Sequence, residues 1–164
     1  MLKTRITSFI ATSSLVAFAA SAATINVPAG GDFQQALNSA SPGDVITLSG
    51  PLGAGKTALA RGLILELGYQ GDVPSPSFAI VQPYEELIPP VWHVDLYRIE
   101  EPSEIDELGL DSAADAVLLV EWPERAGPDA WPGALALSLD FGPTGERILT
   151  AKVPPSWEGR WPPR

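Results

Sequence analysis

One stretch of eight residues constrains this chain more than any other. Residues 50–57, GPLGAGKT, fit the pattern G-x-x-x-x-G-K-[ST] of phosphate-binding P-loops. Glycines let the backbone turn tightly and approach an anion, and successive backbone N–H groups then form an anion-binding nest. The helix that follows presents its positive N-terminus to the same anion. We therefore expect Lys56 to reach the β- and γ-phosphates of a nucleotide and the Thr57 hydroxyl to ligate Mg²⁺.

The flanks of the loop have the order that the motif requires. Residues 45–48 form a short β-prone run, and residues 58–67 are rich in helix formers, with Gly68 as a stop signal. Strand, loop and helix in this order predict a phosphate-binding turn, and a glycine-rich turn without a ligand is the alternative. The residues expected at the nucleotide are Gly50, Gly53, Ala54, Gly55, Lys56, Thr57 and Ala58.

Composition excludes several other kinds of site. A length of 164 residues suits one domain with a sizeable core. The absence of cysteine excludes disulfides, thiolate metal sites and cysteine nucleophiles, and the single histidine, His93, excludes a multi-histidine metal site. The formal charge of −10 works against direct binding of nucleic acid.

The first 22 residues have the pattern of a secretory signal peptide. Lys3 and Arg5 precede an apolar run over 9–19 that is too short to span a bilayer, and residues 20–22, Ala-Ser-Ala, form a cleavage pattern. Export conflicts with the P-loop, because nucleotide hydrolysis needs cytoplasmic ATP or GTP. A mis-set start or a fused gene is the alternative.

The next segment, 23–42, is an atypical lead-in to a P-loop domain. Its sequence and the run PGDVITL at 42–48 resemble the opening of secreted parallel β-helix proteins of the pectate-lyase type. Its local pattern predicts a short strand through Ile25 and Val27 and a helix from Asp32 to Ser39. We expect residues 23–153 to form a single P-loop ATPase domain, followed by a tail over 154–164 that is rich in proline and tryptophan.

Beyond the P-loop helix, the chain alternates between strand and helix patterns. We predict strands over 79–81 and 91–97, joined by a hairpin connection over 85–90. Residues 103–108 open a helix with Ser103 as its N-cap and an acidic first turn.

The second half of the chain supplies the rest of the sheet. The unbroken apolar run 116–120 is typical of a parallel strand covered on both faces. Residues 135–139 and 148–153 alternate as a final antiparallel pair, with a turn over 142–145. The predicted fold class is α/β, a P-loop NTPase-like three-layer sandwich with a mainly parallel sheet and antiparallel edge strands.

Two acidic residues stand out from these strands. Glu121 follows the apolar run 116–120, at the end of the strand where open α/β sheets bind ligands; a surface loop acid is the alternative. Asp95 interrupts an apolar strand, and an unpaired buried carboxylate is costly unless a metal ion or lysine is near. An outward-facing carboxylate on an edge strand is the alternative for Asp95.

Four sequence blocks together resemble the TsaE family of bacterial tRNA threonylcarbamoyladenosine (t6A) biosynthesis ATPases. They are GPLGAGKT at 50–57, SPSF at 75–78, HVDLYR at 93–98 and VEWPE at 120–124, in the family's order. The resemblance covers residues 43–153, and the segment before it departs from the family.

The resemblance implies ATP and Mg²⁺ as cofactors and slow ATP hydrolysis that needs partners. It implies work with the subunits TsaB and TsaD, contact with tRNA only through that complex, no membrane, and a cytoplasmic location. Export is the alternative location if residues 1–22 are a genuine signal peptide.

The resemblance also implies roles for individual residues. Asp95 and Glu121 are the expected catalytic acids beside the attacking water, and with Thr57 they are the expected Mg²⁺ ligands. Ser77 would lie in a switch-like loop at the nucleotide, with a plain turn former as the alternative. Trp122 would lie beside the nucleotide, with core packing as the alternative.

Other functions fit the P-loop less well. A small-molecule kinase shares the motif, but such kinases carry an arginine-rich lid and the arginines here are scattered. A GTPase would need an N-K-x-D motif, which the sequence lacks. A non-functional fusion of a secreted β-helix start with a TsaE-like domain is supported only by residues 1–49.

Overall fold

The structure is a computed structural model that describes residues 21–25 and 40–160. These residues contain a seven-stranded sheet, one α-helix, α1, and four short 3-10 helices. The strands are β1 Ser21–Ile25, β2 Val45–Ser49, β3 Val81–Tyr84, β4 Val91–Asp95, β5 Val117–Glu121, β6 Leu135–Phe141 and β7 Arg147–Val153. The helices are α1 Lys56–Glu66 and the 3-10 helices Pro102–Leu108, Leu110–Ala113, Pro123–Ala126 and Pro155–Trp157.

The sheet has a parallel centre and antiparallel edges. Its strand order is β1-β7-β6-β2-β5-β4-β3. The four central strands, β6, β2, β5 and β4, are parallel to their neighbours in this group. β3 is antiparallel to β4 at one side, and β7 and β1 continue antiparallel from β6 at the other. The predicted α/β fold class, with its antiparallel edge strands, is confirmed.

Strand β5 divides the core into two layers. All of its residues are buried, as the unbroken apolar run predicts. Val117 and Leu119 belong to the apolar cluster on the α1 side of the sheet, whereas Leu118 and Val120 belong to a second cluster on the opposite side. The 3-10 helices Pro102–Leu108 and Leu110–Ala113 contribute to that second cluster. Helices therefore cover both faces of the sheet.

Two predicted elements differ from the observed ones. The strand predicted over 79–81 begins only at Val81, because Ile80 has a φ of 65° and turns the chain before the strand starts. The predicted helix over 103–108 is a 3-10 helix, and its N-cap is Glu101 rather than Ser103. Glu101 and Glu104 cap it reciprocally, so the acidic first turn has the expected position with a different partner.

The core extends past the predicted domain boundary at residue 153. Trp157 is fully buried in the cluster on the α1 side. The Arg160 guanidinium lies 4.2 Å from the Trp157 ring centroid and donates to both carboxylate oxygens of Asp44, at 2.6 and 3.1 Å. The start of the C-terminal tail is therefore tied to the turn that precedes β2.

Part of the predicted N-terminal region lies outside the described residues. The n-region, the apolar run 9–19, Val27 and the helix predicted over 32–39 are not described. The last two residues of the signal-like segment, Ser21 and Ala22, belong to β1 and pair with Val153 and Lys152. Cleavage after Ala22 stays a prediction.

Candidate functional site

The loop between β2 and α1 depends on glycine at several positions. Gly50, Gly53 and Gly55 have φ values of 122°, 79° and 108°, which residues with a Cβ rarely adopt. A Cβ on Gly50 would lie 2.0 Å from the Leu139 carbonyl oxygen of β6. Gly55 is the N-cap of α1, so the loop ends directly at the positive end of that helix.

Lys56 is held inside this loop. Its Nζ donates to the carbonyl oxygens of Gly50 and Pro51, at 2.7 and 3.0 Å, and lies 3.6 Å from the ring centroid of Trp122. Burial lowers the pKa of Lys56, and the negative charges of nearby carboxylates, Glu121 first, oppose this shift. The ammonium group therefore rests on weak neutral acceptors that an anion in the cleft would replace.

Glu121 is a buried acid at the end of the most buried strand. It is 1% exposed, and its carboxylate accepts a hydrogen bond from Thr57 Oγ1 at 2.9 Å through Oε2. Its Oε1 lies 2.8 Å from Nε2 of His93. Glu121 is therefore not a surface loop acid: it joins the first turn of α1 to two central strands.

Asp95 occupies the equivalent position on the neighbouring strand. It is the register partner of Glu121 across β4 and β5, and it is 3% exposed. Its Oδ2 accepts from Ser77 Oγ at 2.9 Å and from Ser75 Oγ at 3.2 Å, and its Oδ1 accepts from the Tyr97 N–H at 3.0 Å. Asp95 therefore fixes the serine-containing loop against the sheet and is not an outward-facing edge carboxylate.

Trp122 has an unusual backbone conformation. Its φ and ψ are 60° and 48°, a left-handed conformation that is strained for a bulky residue and that recurs at functional sites. The turn places its ring beside Lys56 and 5.0 Å from the Tyr97 ring centroid. Trp122 thus forms a wall of the cleft while its ring also contacts the second core cluster.

A cleft of about 480 Å³ lies above these groups. Most residues predicted for the nucleotide line it, and two do not: Gly50 packs against β6, and Ala54 is buried in the core. The predicted residues that line the cleft are Gly53, Gly55, Lys56, Thr57, Ala58, Ser77, Asp95, Glu121 and Trp122.

Several residues at the cleft have no role predicted from the sequence. Phe78 and Arg98 lie at its edge, with the guanidinium 4.3 Å from the ring centroid, and Tyr97 and Leu52 also line it. All four belong to the blocks GPLGAGKT, SPSF and HVDLYR, so the blocks carried a signal for them.

Arg147 also has no role predicted from the sequence, and it contacts the backbone of the P-loop. Its Nε donates to the Ala54 carbonyl oxygen of the P-loop at 3.0 Å, and its guanidinium lies 4.2 Å from the Phe141 ring centroid. It thereby fastens the P-loop to the hairpin of β6 and β7. No sequence motif marks this contact, which joins positions 93 apart.

Two features are absent from the described residues. None of the helices within 21–25 and 40–160 is long and apolar enough to cross a membrane. The same part of the chain contains no group of three or more His, Cys, Asp or Glu side chains able to hold a metal ion.

The chain has the features of a domain of the P-loop NTPase fold. These are the parallel centre of the sheet, the glycine-rich turn before α1 and the acids at the ends of β4 and β5. Comparison with known proteins narrows this class. The chain belongs to the TsaE family, because residues 27–148 match the family model described as threonylcarbamoyl adenosine biosynthesis protein TsaE. The match begins well before residue 43, so the family pattern includes part of the atypical lead-in.

Curated relatives carry the name tRNA threonylcarbamoyladenosine biosynthesis protein TsaE. The Haemophilus influenzae protein is 39% identical over 100 residues, which span 59% of this chain and 63% of the relative. The Bacillus subtilis protein is 47% identical over 51% of this chain and 52% of the relative. The Streptomyces coelicolor protein is 41% identical over 68% of this chain and 79% of the relative. The chain thus spans between half and two thirds of the length of the first two relatives.

A solved structure shares the fold. The crystal structure of Bacillus subtilis YdiB superposes with a TM-score of 0.70 at 28% sequence identity. The superposition covers 88% of this chain and 94% of that one.

Proposed function

We propose that this protein is the Mg²⁺-dependent ATP-binding and ATP-hydrolysing component of the t6A machinery that modifies tRNA. The observation that carries the proposal is that Lys56, Thr57 and Glu121 lie together at one cleft, on the P-loop, α1 and β5. The names of the curated relatives support the t6A assignment.

The P-loop is suited to bind the phosphates. Its left-handed glycines and the start of α1 give a cradle of backbone N–H groups with a favourable helix dipole. Lys56 supplies a mobile cation, since its present acceptors are two carbonyl oxygens and an aromatic ring. Terminal phosphate oxygens are stronger partners for the Lys56 ammonium group than these neutral groups.

The oxygen donors fit Mg²⁺. Thr57, Asp95 and Glu121 would hold the ion, and this small set suits it because Mg²⁺ takes one or two carboxylates together with phosphate oxygens. The ion, when bound, neutralises charge on the phosphate oxygens. The three residues are the predicted metal ligands, and nothing in the proposal requires a larger protein cluster.

The two acids have different hydrogen-bond environments, which suggests different roles. Asp95 accepts from Ser75, Ser77 and the Tyr97 N–H, so its lone pairs serve mainly to hold the loop. Each carboxylate oxygen of Glu121 has one partner, so Glu121 retains acceptor capacity toward the cleft. We therefore assign the orientation of the attacking water to Glu121, and to Asp95 the positioning of the serine loop in addition to holding the ion.

Charge and exposed surface support action through the partners that the family resemblance implies. A net charge of −10 disfavours direct contact with tRNA, so the proposal places tRNA on TsaB and TsaD. Leu52 and Phe78 are 70% and 86% exposed at the mouth of the cleft, where apolar side chains suit a partner surface. ATP and tRNA are cytoplasmic, and the proposed location is therefore the cytoplasm.

The test is ATP hydrolysis by the full chain, with and without TsaB and TsaD from the same organism. We expect turnover that needs Mg²⁺ and rises with both partners, and no turnover in Lys56→Ala. ATP at a hundredfold excess over its Kd should stabilise the parent by about 2.7 kcal/mol and leave Lys56→Ala unshifted. An equal ATP-induced rise in Tm for both proteins contradicts the assignment of Lys56. Efficient phosphorylation of a small metabolite by the lone chain favours a kinase instead.

A further inference from the structure

His93 is the one histidine of the chain, and it lies at the centre of the site without facing the cleft. It is fully buried on β4, two residues before Asp95. Its Nε2 lies 2.8 Å from Oε1 of Glu121, and Thr57 holds the other carboxylate oxygen at 2.9 Å. The carboxylate of Glu121 is therefore clamped between an imidazole and a hydroxyl.

The chemistry of the pair fixes which ring nitrogen carries a hydrogen. An ionised Glu121 only accepts hydrogen bonds, and with this ionised acid the His93–Glu121 contact places a hydrogen on Nε2. Within the described part of the chain, Nδ1 of His93 has no hydrogen-bond partner. The contact with Glu121 is thus the polar interaction that this buried ring makes there.

Burial of an imidazole ring costs free energy, and the hydrogen bond with Glu121 offsets part of that cost. An apolar side chain at position 93 would pack in the strand without leaving a buried ring nitrogen unpaired. Without the imidazole, Oε1 of Glu121 would be buried without its hydrogen-bond partner, and the side chain could rotate away from Thr57. The ring therefore supports the orientation of Glu121 more than the packing of β4.

We propose that His93 is a positioning residue that holds the Glu121 carboxylate in the orientation needed for ATP hydrolysis. The inference rests on the proposed function, because it assigns a cause to the placement of the water-orienting acid. His93 does not touch the cleft, so it acts through Glu121 and not on the nucleotide.

Enzyme kinetics in the presence of TsaB and TsaD test this role. His93→Leu should lower kcat by about tenfold or more while the KM for ATP stays close to the parent value. His93→Gln should recover most of the loss, because its side-chain amide presents an N–H at about the reach of Nε2. In a Glu121→Gln background, His93→Leu should cause no further loss, since the two residues act as one unit.

A spectroscopic readout is independent of turnover. The chain has one histidine, so ¹⁵N labelling of histidine gives one imidazole to observe. We expect a hydrogen on Nε2 that is protected from exchange, and a shift of this resonance in Glu121→Gln with the fold intact.

The outcomes separate the two levels of proposal. A parent without Mg²⁺-dependent ATPase activity contradicts the proposed function, whereas a kinetic or spectroscopic failure in an active parent overturns the inference alone. A hydrogen found on Nδ1 and not on Nε2 overturns the inference, as does parent-like kcat in a folded His93→Leu. Failure of His93→Gln to recover activity, with a parent-like Tm, also overturns it.

Discussion

Thr57 donates a hydrogen bond of 2.9 Å to Oε2 of Glu121, although 64 positions separate them in the sequence. The contact joins the first turn of α1 to the last residue of β5. It brings the phosphate-binding turn and the buried acid within one hydrogen bond of each other. A change at Glu121 should therefore affect the chemistry at the cleft and leave the phosphate cradle in place.

We predict that Glu121→Gln preserves ATP binding and reduces turnover by about 100-fold or more, because an amide neither orients water nor holds Mg²⁺ as a carboxylate does. The measurements are the ATP-induced rise in Tm and the ATPase rate with partners present. Glu107→Gln is the matched control, since Glu107 is exposed on the 3-10 helix Pro102–Leu108 and lies outside the cleft lining. Equal ATPase rates in Glu121→Gln and the parent would place Glu121 outside the mechanism.

Two glycines of the P-loop should differ in their tolerance of alanine. At Gly50 a Cβ would meet the Leu139 carbonyl oxygen at 2.0 Å, so the backbone of β6 or the loop must move. We expect a loss of unfolding free energy on the order of 3 kcal/mol or more for Gly50→Ala. Around Gly53 nothing lies within 4 Å of a Cβ, and we expect Gly53→Ala to cost about 1–2 kcal/mol through its left-handed φ. Urea denaturation decides this, and similar losses for the two variants would contradict it.

Local pattern was sufficient to predict most of the sheet. The strands β2, β4 and β5 coincide with their predicted runs to within two residues, because each run is apolar and bounded by turn residues. The hairpin of β6 and β7 and its turn at Gly145, with a φ of 92°, were also predicted. These elements have strong short-range signals.

Long-range contacts were not predictable in the same way. Nothing in the residues near Trp157 indicates that its ring fills the core below α1. The contact of Arg147 with Ala54 and that of His93 with Glu121 depend on which strands become neighbours. Sequence spacing does not give the order of the strands in the sheet. The sequence therefore predicts no partner for His93.

The Tyr84 hydroxyl provides a test at alkaline pH. Tyr84 is 2% exposed, and its hydroxyl has no hydrogen-bond partner among the described residues. Burial raises the pKa of Tyr84 above its usual 10.0. The unfolded state therefore loses this proton at a lower pH than the folded state, and stability falls as pH rises through about 10.

We predict that Tyr84→Phe is neutral or slightly stabilising at pH 7 and loses less stability than the parent between about pH 9.5 and 11. The ring should keep its contact with Tyr69, whose centroid is 4.8 Å away. Unfolding free energies of both proteins across this pH range are the measurement. A parallel decline in parent and variant would mean that Tyr84 titrates alike in both states.

Trp157 is expected to be essential to the fold. Its ring is fully buried in the cluster on the α1 side, to which Leu135 and Ala151 also belong. We predict that Trp157→Ala lowers the unfolding free energy by about 3–5 kcal/mol, and that Trp157→Phe loses markedly less. Thermal and urea denaturation give both values. A loss below about 1 kcal/mol for the alanine variant would show that the tail lies outside the cooperative unit.

The last prediction concerns two truncated chains, one that begins with strand β1 and one that begins just after it. Residues 1–20 contain an apolar run and two basic residues, and their removal moves the formal charge from −10 to −12. We expect a chain of residues 21–164 to fold and bind ATP like the full chain, with less association, because it lacks the apolar run. A chain of residues 26–164 lacks β1, which pairs antiparallel with β7 along its whole length.

Loss of β1 should leave the hydrogen-bonding edge of β7 open, lowering the unfolding free energy by about 1–3 kcal/mol and promoting edge-to-edge association. The comparison is made with full-length, 21–164 and 26–164 chains by urea denaturation, ATP-induced shift in Tm and sedimentation. Equal stability of 21–164 and 26–164 would show that β1 contributes nothing to the fold. Failure of 21–164 to fold or bind ATP, while the full chain does both, would show that residues 1–20 are structural.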